Sequence, residues 1–151
     1  MKIIYALLSG VAMAALALSA QAADAYQPGQ RLQAKQIQRL GQLPVYTVDK
    51  QQYRLLPQSA AGGRSLLLDA QGVVFSSQNE ILITGATEND VQLGAGKGPV
   101  PVSVQSFAAT GIVVLRYADF GSAVSALAWL QQQLPQASLH LAIEQAPLKP
   151  S

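Results

Sequence analysis

Residues 111–151 read GIVVLRYADFGSAVSALAWLQQQLPQASLHLAIEQAPLKPS, and this stretch decides the fold. Gly111 to Tyr117 is a strand of branched and aliphatic residues. Asp119 follows as an N-cap, its carboxylate at the positive end of a helix dipole. Phe120, Ala123, Val124, Leu127, Leu130 and Leu134 recur at helical spacing and form one apolar face, and Pro135 stops the helix. Ser138 to Ile143 alternates, with Leu139, Leu141 and Ile143 on one side and His140, Ala142 and Glu144 on the other. A strand–helix–strand path returns the last strand to the same sheet, parallel to the strand at 112–117.

Upstream the chain is β-rich. Val45 to Val48 and Tyr53 to Leu56 pair across the turn Asp49-Lys50-Gln51, and Pro57 ends the return strand. The runs 66–68 and 73–75 flank the turn Asp69-Ala70-Gln71-Gly72, and Glu80 to Thr84 follows as a further strand. Both runs are apolar without alternation, which predicts cover on both faces. Glu88-Asn89-Asp90 reads as a turn. Gly94 to Pro101 (GAGKGPVP) reads as a boundary or a long hairpin loop before a strand at 102–107. Gln30 to Leu40 carries only Leu32, Ile37 and Leu40 as large apolar residues, a thin stripe for a weak helix or a partly ordered arm.

The first 22 residues carry Lys2, an apolar run from Ile3 to Leu18 and an Ala20-Gln21-Ala22 site, and are expected to be a secretory signal peptide. The expected organisation is a signal at 1–22, a flexible N-terminal segment at 23–43, a β-meander at 44–93, an α/β module at 102–143 and an extended tail at 144–151. The fold class is α+β. The exported chain is expected to be periplasmic or secreted, with no membrane association after signal cleavage. It contains no cysteine, so its stability has to come from packing. Without Lys2, nine Lys and Arg face eight Asp and Glu, scattered along the chain. No basic stripe exists for nucleic acid. Such a weakly charged surface suits a protein partner met through area and shape.

No catalytic constellation is recognisable. His140 is the only histidine and lies on a strand without spaced partners for a triad or a metal. Glu88 and Asp90 are too few for a Ca²⁺ loop. Gly96-Lys97 runs into Gly98-Pro99 rather than Ser or Thr and a helix, so it fails as a phosphate loop. No enzyme activity, cofactor or metal is therefore expected. Trp129 lies opposite the apolar stripe of its helix, beside Ser122, Ser125 and Gln132. It is either covered by another part of the chain or held for a partner. The tail, with Pro147 and Pro150, is either a frayed terminus or an extended peptide offered to a groove.

The segments LLLDAQGVVFSSQNEILITG (66–85), GIVVLRYADFGSAVSALAWLQQQLP (111–135) and SLHLAI (138–143), with the tail ending at Ser151, resemble the pro-domains of subtilisin-type serine proteases. The chain from 45 onward is similar to the external chaperones of subtilisin/kexin-like secreted proteases, the Aeromonas serine protease chaperone family. The resemblance implies an exported chaperone and inhibitor whose partner is a secreted subtilisin-like serine protease. It implies that Pro147, Leu148, Lys149, Pro150 and Ser151 occupy the protease cleft and that His140 lies near the interface. Pro-domains have two helices in a β-α-β-β-α-β order, whereas one strong helix is evident here. The alternative is a periplasmic binding or assembly adaptor that uses Trp129 but not the tail.

Overall fold

The computed structural model describes residues 26–145. It is an α+β fold built on two four-stranded antiparallel sheets.

The first sheet is a meander of β1 (Val45–Val48), β2 (Gln51–Ala60), β3 (Arg64–Leu68) and β4 (Val74–Ser77), in that order. Asp49 and Lys50 both adopt positive φ, so the first hairpin turns on two residues and Gln51 already pairs with Val48. Pro57 does not end the return strand as expected. β2 runs on to Ala60 and absorbs the proline where its register with β3 shifts, between Leu55 and Ser59. A bulge tolerates the missing N–H that a regular ladder would not. In the third turn, the Asp69 carboxylate accepts from the backbone N–H groups of Gln71 and Val73 at 2.9 and 2.8 Å.

The unbroken apolar runs are covered on both faces. Leu67 joins one core cluster, while Leu66, Leu68 and Val74 join another. The second cluster lies under the N-terminal segment, which contributes Leu32 and, in part, Ile37 and Leu40. The short helix α1 (Ala34–Arg39) carries Ile37. The segment expected to be flexible is anchored from Tyr26 onward. Gly29 N donates to Val74 O at 2.7 Å, and Val74 N donates to Gln30 O at 2.8 Å.

The second sheet contains β5 (Glu80–Thr84), β6 (Ser103–Phe107), β7 (Ile112–Arg116) and β8 (Ser138–Leu141), ordered β6-β7-β5-β8. Glu80 to Thr84 thus leaves the meander, and the chain changes sheet at Gln78–Asn79, where Asn79 turns with φ 60°. β7 and β8 each run antiparallel to β5, so they are parallel to one another with β5 between them. The parallel direction agrees with the sequence; the intervening strand was not visible there.

Glu88-Asn89-Asp90 is not a turn but the first turn of a helix, α2 (Glu88–Ala95). Thr87 caps it, its hydroxyl oxygen accepting from Asp90 N at 3.1 Å while the Asp90 carboxylate accepts from Thr87 N at 3.4 Å. Only Val91 and Ala95 of α2 are buried. That stripe is too thin to show against Asn, Asp and Gly, which are poor helix formers. Gly94 lies where α2 packs on α3 (Phe120–Gln133), and a Cβ there would make ordinary van der Waals contact, 3.6 Å from both Gln133 Cβ and Leu130 Cδ2. The glycine-rich stretch is therefore the end of a helix and its exit loop. The path β5-α2-β6-β7-α3-β8 is the β-α-β-β-α-β order of ferredoxin-like folds.

Asp119 caps α3 as its sequence suggests, accepting from Ser122 N at 2.7 Å, and the helix ends before Pro135. Phe120, Ala123, Leu127 and Leu130 are buried with Ile81, Ile83, Val113, Leu115 and Leu141 of the sheet. Val48 and Tyr53 of the first sheet join the same cluster, and Tyr46 meets Phe120 edge-on at 5.4 Å between ring centroids. One core thus joins the two sheets. After Leu141 the chain does not continue the strand to Ile143. It crosses to β4, where Glu144 and Ser76 exchange two backbone hydrogen bonds of 2.7 and 2.8 Å. Among the described residues no helix is long and apolar enough to cross a membrane.

Candidate functional site

The side of the second sheet turned away from α2 and α3 is assembled from every other residue of four strands. Gln105, Val114, Leu82 and His140 stand side by side across β6, β7, β5 and β8. The neighbouring row is Phe107, Ile112, Thr84 and Ser138. Leu82, Ile112 and Val114 are half-buried by their neighbours yet belong to neither core cluster. Phe107 is 49 % exposed. The result is an open sheet face with an apolar centre. In the antiparallel ladder the helix side takes Ile81, Ile83, Val113 and Leu115, so their alternate neighbours must take the other side.

One end of the face is charged. Arg116 donates to Glu80 Oε1 through Nε at 3.0 Å and Nη2 at 2.6 Å, and to Gln78 Oε1 at 3.1 Å. The Arg116 side chain is half exposed, so this pair contributes at most about 1 kcal/mol to stability. The pair sets a charged rim at one end of the apolar patch.

His140 lies on this face, exposed, next to Leu82. Trp129 does not join it. α3 packs on the opposite side of the sheet, and the indole N–H donates to Gly94 O at 2.8 Å. A Cβ on Gly98 would fall 2.5 Å from Trp129 Cδ1. The indole is therefore covered by the loop leaving α2, and its polar atom is satisfied within the chain. The glycines that read as a boundary are the signal that it is covered. Pro147, Leu148, Lys149, Pro150 and Ser151 lie outside the described residues, as does the expected signal at 1–22.

The base of the tail is well defined. Ser77 Oγ donates to Ala142 O at 2.6 Å, and Arg64 Nη1 lies 3.8 Å from Glu144 Oε2. Further along β4, Gly29 and Gln30 hold both backbone groups of Val74. A Cβ on Gly29 would sit 3.3 Å from Gln145 O, so the two segments meet there.

Burial pushes the Tyr117 hydroxyl up to about 12. Burial, followed by the negative charges of Asp69 and Asp49, raises Tyr53. Both belong to the core and not to the open face. Among the described residues no three His, Asp or Glu side chains gather as a metal site. A depression of about 750 Å³ between the N-terminal segment and β2–β3 is lined by Tyr26, Pro28, Ser59, Arg64 and Gln78, among others, with Arg64 the one charged side chain among the described residues that line it.

Apart from His140, the open face is invisible in the sequence. Ile112, Val114, Leu82 and Phe107 sit in runs such as GIVVLRY and EILIT, whose apolar character is nearly continuous. Such runs conceal which residues face the helices. No family model, curated protein or solved structure matches the chain.

Proposed function

We propose that the protein is an exported, non-catalytic chaperone and inhibitor of a secreted subtilisin-like serine protease, acting in the periplasm or outside the cell. The observation that carries this reading is the open apolar face of a β-α-β-β-α-β sheet whose last strand leads directly to the C-terminal segment. The same strand order is implied by the resemblance to protease pro-domains, although fold alone does not give function. In this scheme Leu82, Val114 and Phe107 lie against the protease, His140 and Arg116 flank them, and residues 147–151 enter its cleft. Binding the native-like protease better than its unfolded chain stabilises it by about 2.7 kcal/mol at a concentration one hundred times the dissociation constant. No turnover is required.

The test is refolding of a subtilisin-type protease without its own pro-domain. The intact chain is expected to raise the yield of active protease and then to inhibit it. Leu82→Lys and Val114→Lys, which charge the face but leave both core clusters intact, should weaken both effects. Deletion of Pro147 to Ser151 should abolish inhibition. If neither the face variants nor the deletion changes yield or inhibition, the proposal is wrong. Binding that survives the deletion but not the face variants, to a partner other than a protease, favours an envelope adaptor instead. The open face supports that second reading equally, because it does not need the tail.

A further inference from the structure

We infer that two copies of this chain associate through β6, pairing edge to edge across a twofold axis at Gln105, so that the two second sheets become one. Among the described residues the two sheets have four edges. The β4 edge is occupied by Gly29, Gln30 and Glu144. β1 and β8 are only four residues long. β6, Ser103–Phe107, is a five-residue edge strand with every residue exposed. Its sequence, SVQSF, contains no charge and no proline, the usual guards of a free edge. Pro101 limits pairing at one end only.

The exposed apolar side chains gather at the same edge. Val100 is 79 %, Val102 62 % and Val104 39 % exposed, and Phe107 lies at the other end of the strand. A lone valine in water needs no explanation, but four large apolar residues along one unguarded edge do.

The occupant follows from the strand's own pattern. An antiparallel pair of identical strands closes by a twofold. With Gln105 opposite the copy's Gln105, Val104 meets Ser106 and Phe107 meets Ser103, so each face sets a large residue against a small one. The two central amides each hold a donor and an acceptor for the other. No charge meets its like, which would otherwise oppose self-pairing. Pairing over five residues a side is small against the roughly 1,200 Å² at which specific stable interfaces begin, so the dimer is expected to be weak and concentration-dependent. The edge pairing shares Phe107 with the face proposed for the protease but does not require a protease partner.

Sedimentation velocity of the chain without residues 1–22 tests it. The mass should rise from one chain toward two across the micromolar range. Gln105→Lys sets two ammonium groups face to face and should raise the dissociation constant about two- to fivefold, as should Gln105→Glu. An equimolar mixture of the two variants should regain the dimer, because the axis pairs lysine with glutamate. Gln105 is exposed, so the fold, read by far-UV circular dichroism, should not change. A single-chain mass throughout, a Gln105→Lys variant that dimerises like the parent, or a mixture no more dimeric than its components each overturns the inference.

Discussion

Replacing Gly98 by alanine puts a methyl carbon 2.5 Å from Trp129 Cδ1 and 2.8 Å from Cγ and Nε1. The indole cannot yield freely, because its N–H is committed to Gly94 O at 2.8 Å. Overpacking of this kind costs about 1–3 kcal/mol. If the ring rotates away, the lost hydrogen bond costs about 1 kcal/mol more. Alanine also restricts the unfolded chain, which returns about 0.4–1 kcal/mol. The net expectation is a loss of about 2 kcal/mol. Trp129→Ala alone should cost about 2–3 kcal/mol, below the range for a fully buried tryptophan because the ring is only partly covered. In the double variant the obstacle is gone, so Gly98→Ala should be neutral or slightly stabilising, giving a coupling of about 2 kcal/mol between the two sites. Urea unfolding followed by far-UV circular dichroism gives the four free energies. Trp129 is the single tryptophan, so a red shift of emission in Gly98→Ala reports the indole moving into water. A cost below about 0.5 kcal/mol with unshifted emission would refute the reasoning. So would an equal cost with and without the indole.

Two further expectations concern stability. The Tyr117 hydroxyl is buried without a hydrogen-bond partner among the described residues, and its pKa is raised to about 12 from an ordinary 10. The folded state therefore holds this proton more tightly than the unfolded state. The contribution is complete below pH 10 and is lost as pH rises from 10 to 12, at up to about 1.4 kcal/mol per pH unit. Tyr117→Phe should remove that part of the alkaline slope and leave neutral-pH stability unchanged or slightly higher, as measured by urea midpoints across pH. Asp119→Ala deletes the cap that accepts from Ser122 N and Ser122 Oγ at 2.7 and 3.0 Å. It should lower stability by about 1 kcal/mol, whereas Asp119→Asn should recover most of it.

Local chemistry was legible from the residues alone. Asp119 and Pro135 delimit α3, the turns at 49–50 and 69–72 fall where Asp, Lys and Gly sit, and the two-sided burial of 66–68 follows from its unbroken leucines. Each of these depends on groups within a few residues of one another. α2 was missed for the same reason. Its capping box is present in Thr87 and Asp90, but only Val91 and Ala95 are buried, and the core they join is completed by α3 residues such as Leu127 and Leu130, more than thirty residues away.

The site divides along the same line. The sequence marked His140 as an outward residue of a strand, and that placement holds. It left Trp129 open between cover and partner. Gly98 and Gly94 O, supplied by a segment that read as a linker, decide for cover. Only the tertiary structure puts β5 between β7 and β8 and so sets Leu82 between Val114 and His140. The physical reason is that strand pairing joins residues tens of positions apart through backbone groups that every sequence carries. A nearly continuous apolar run states that it is buried without stating by what. The C-terminal unit that opened the reading is thus determined locally in its strand, helix and turns. Its open face exists only because a strand from the middle of the chain was inserted into it.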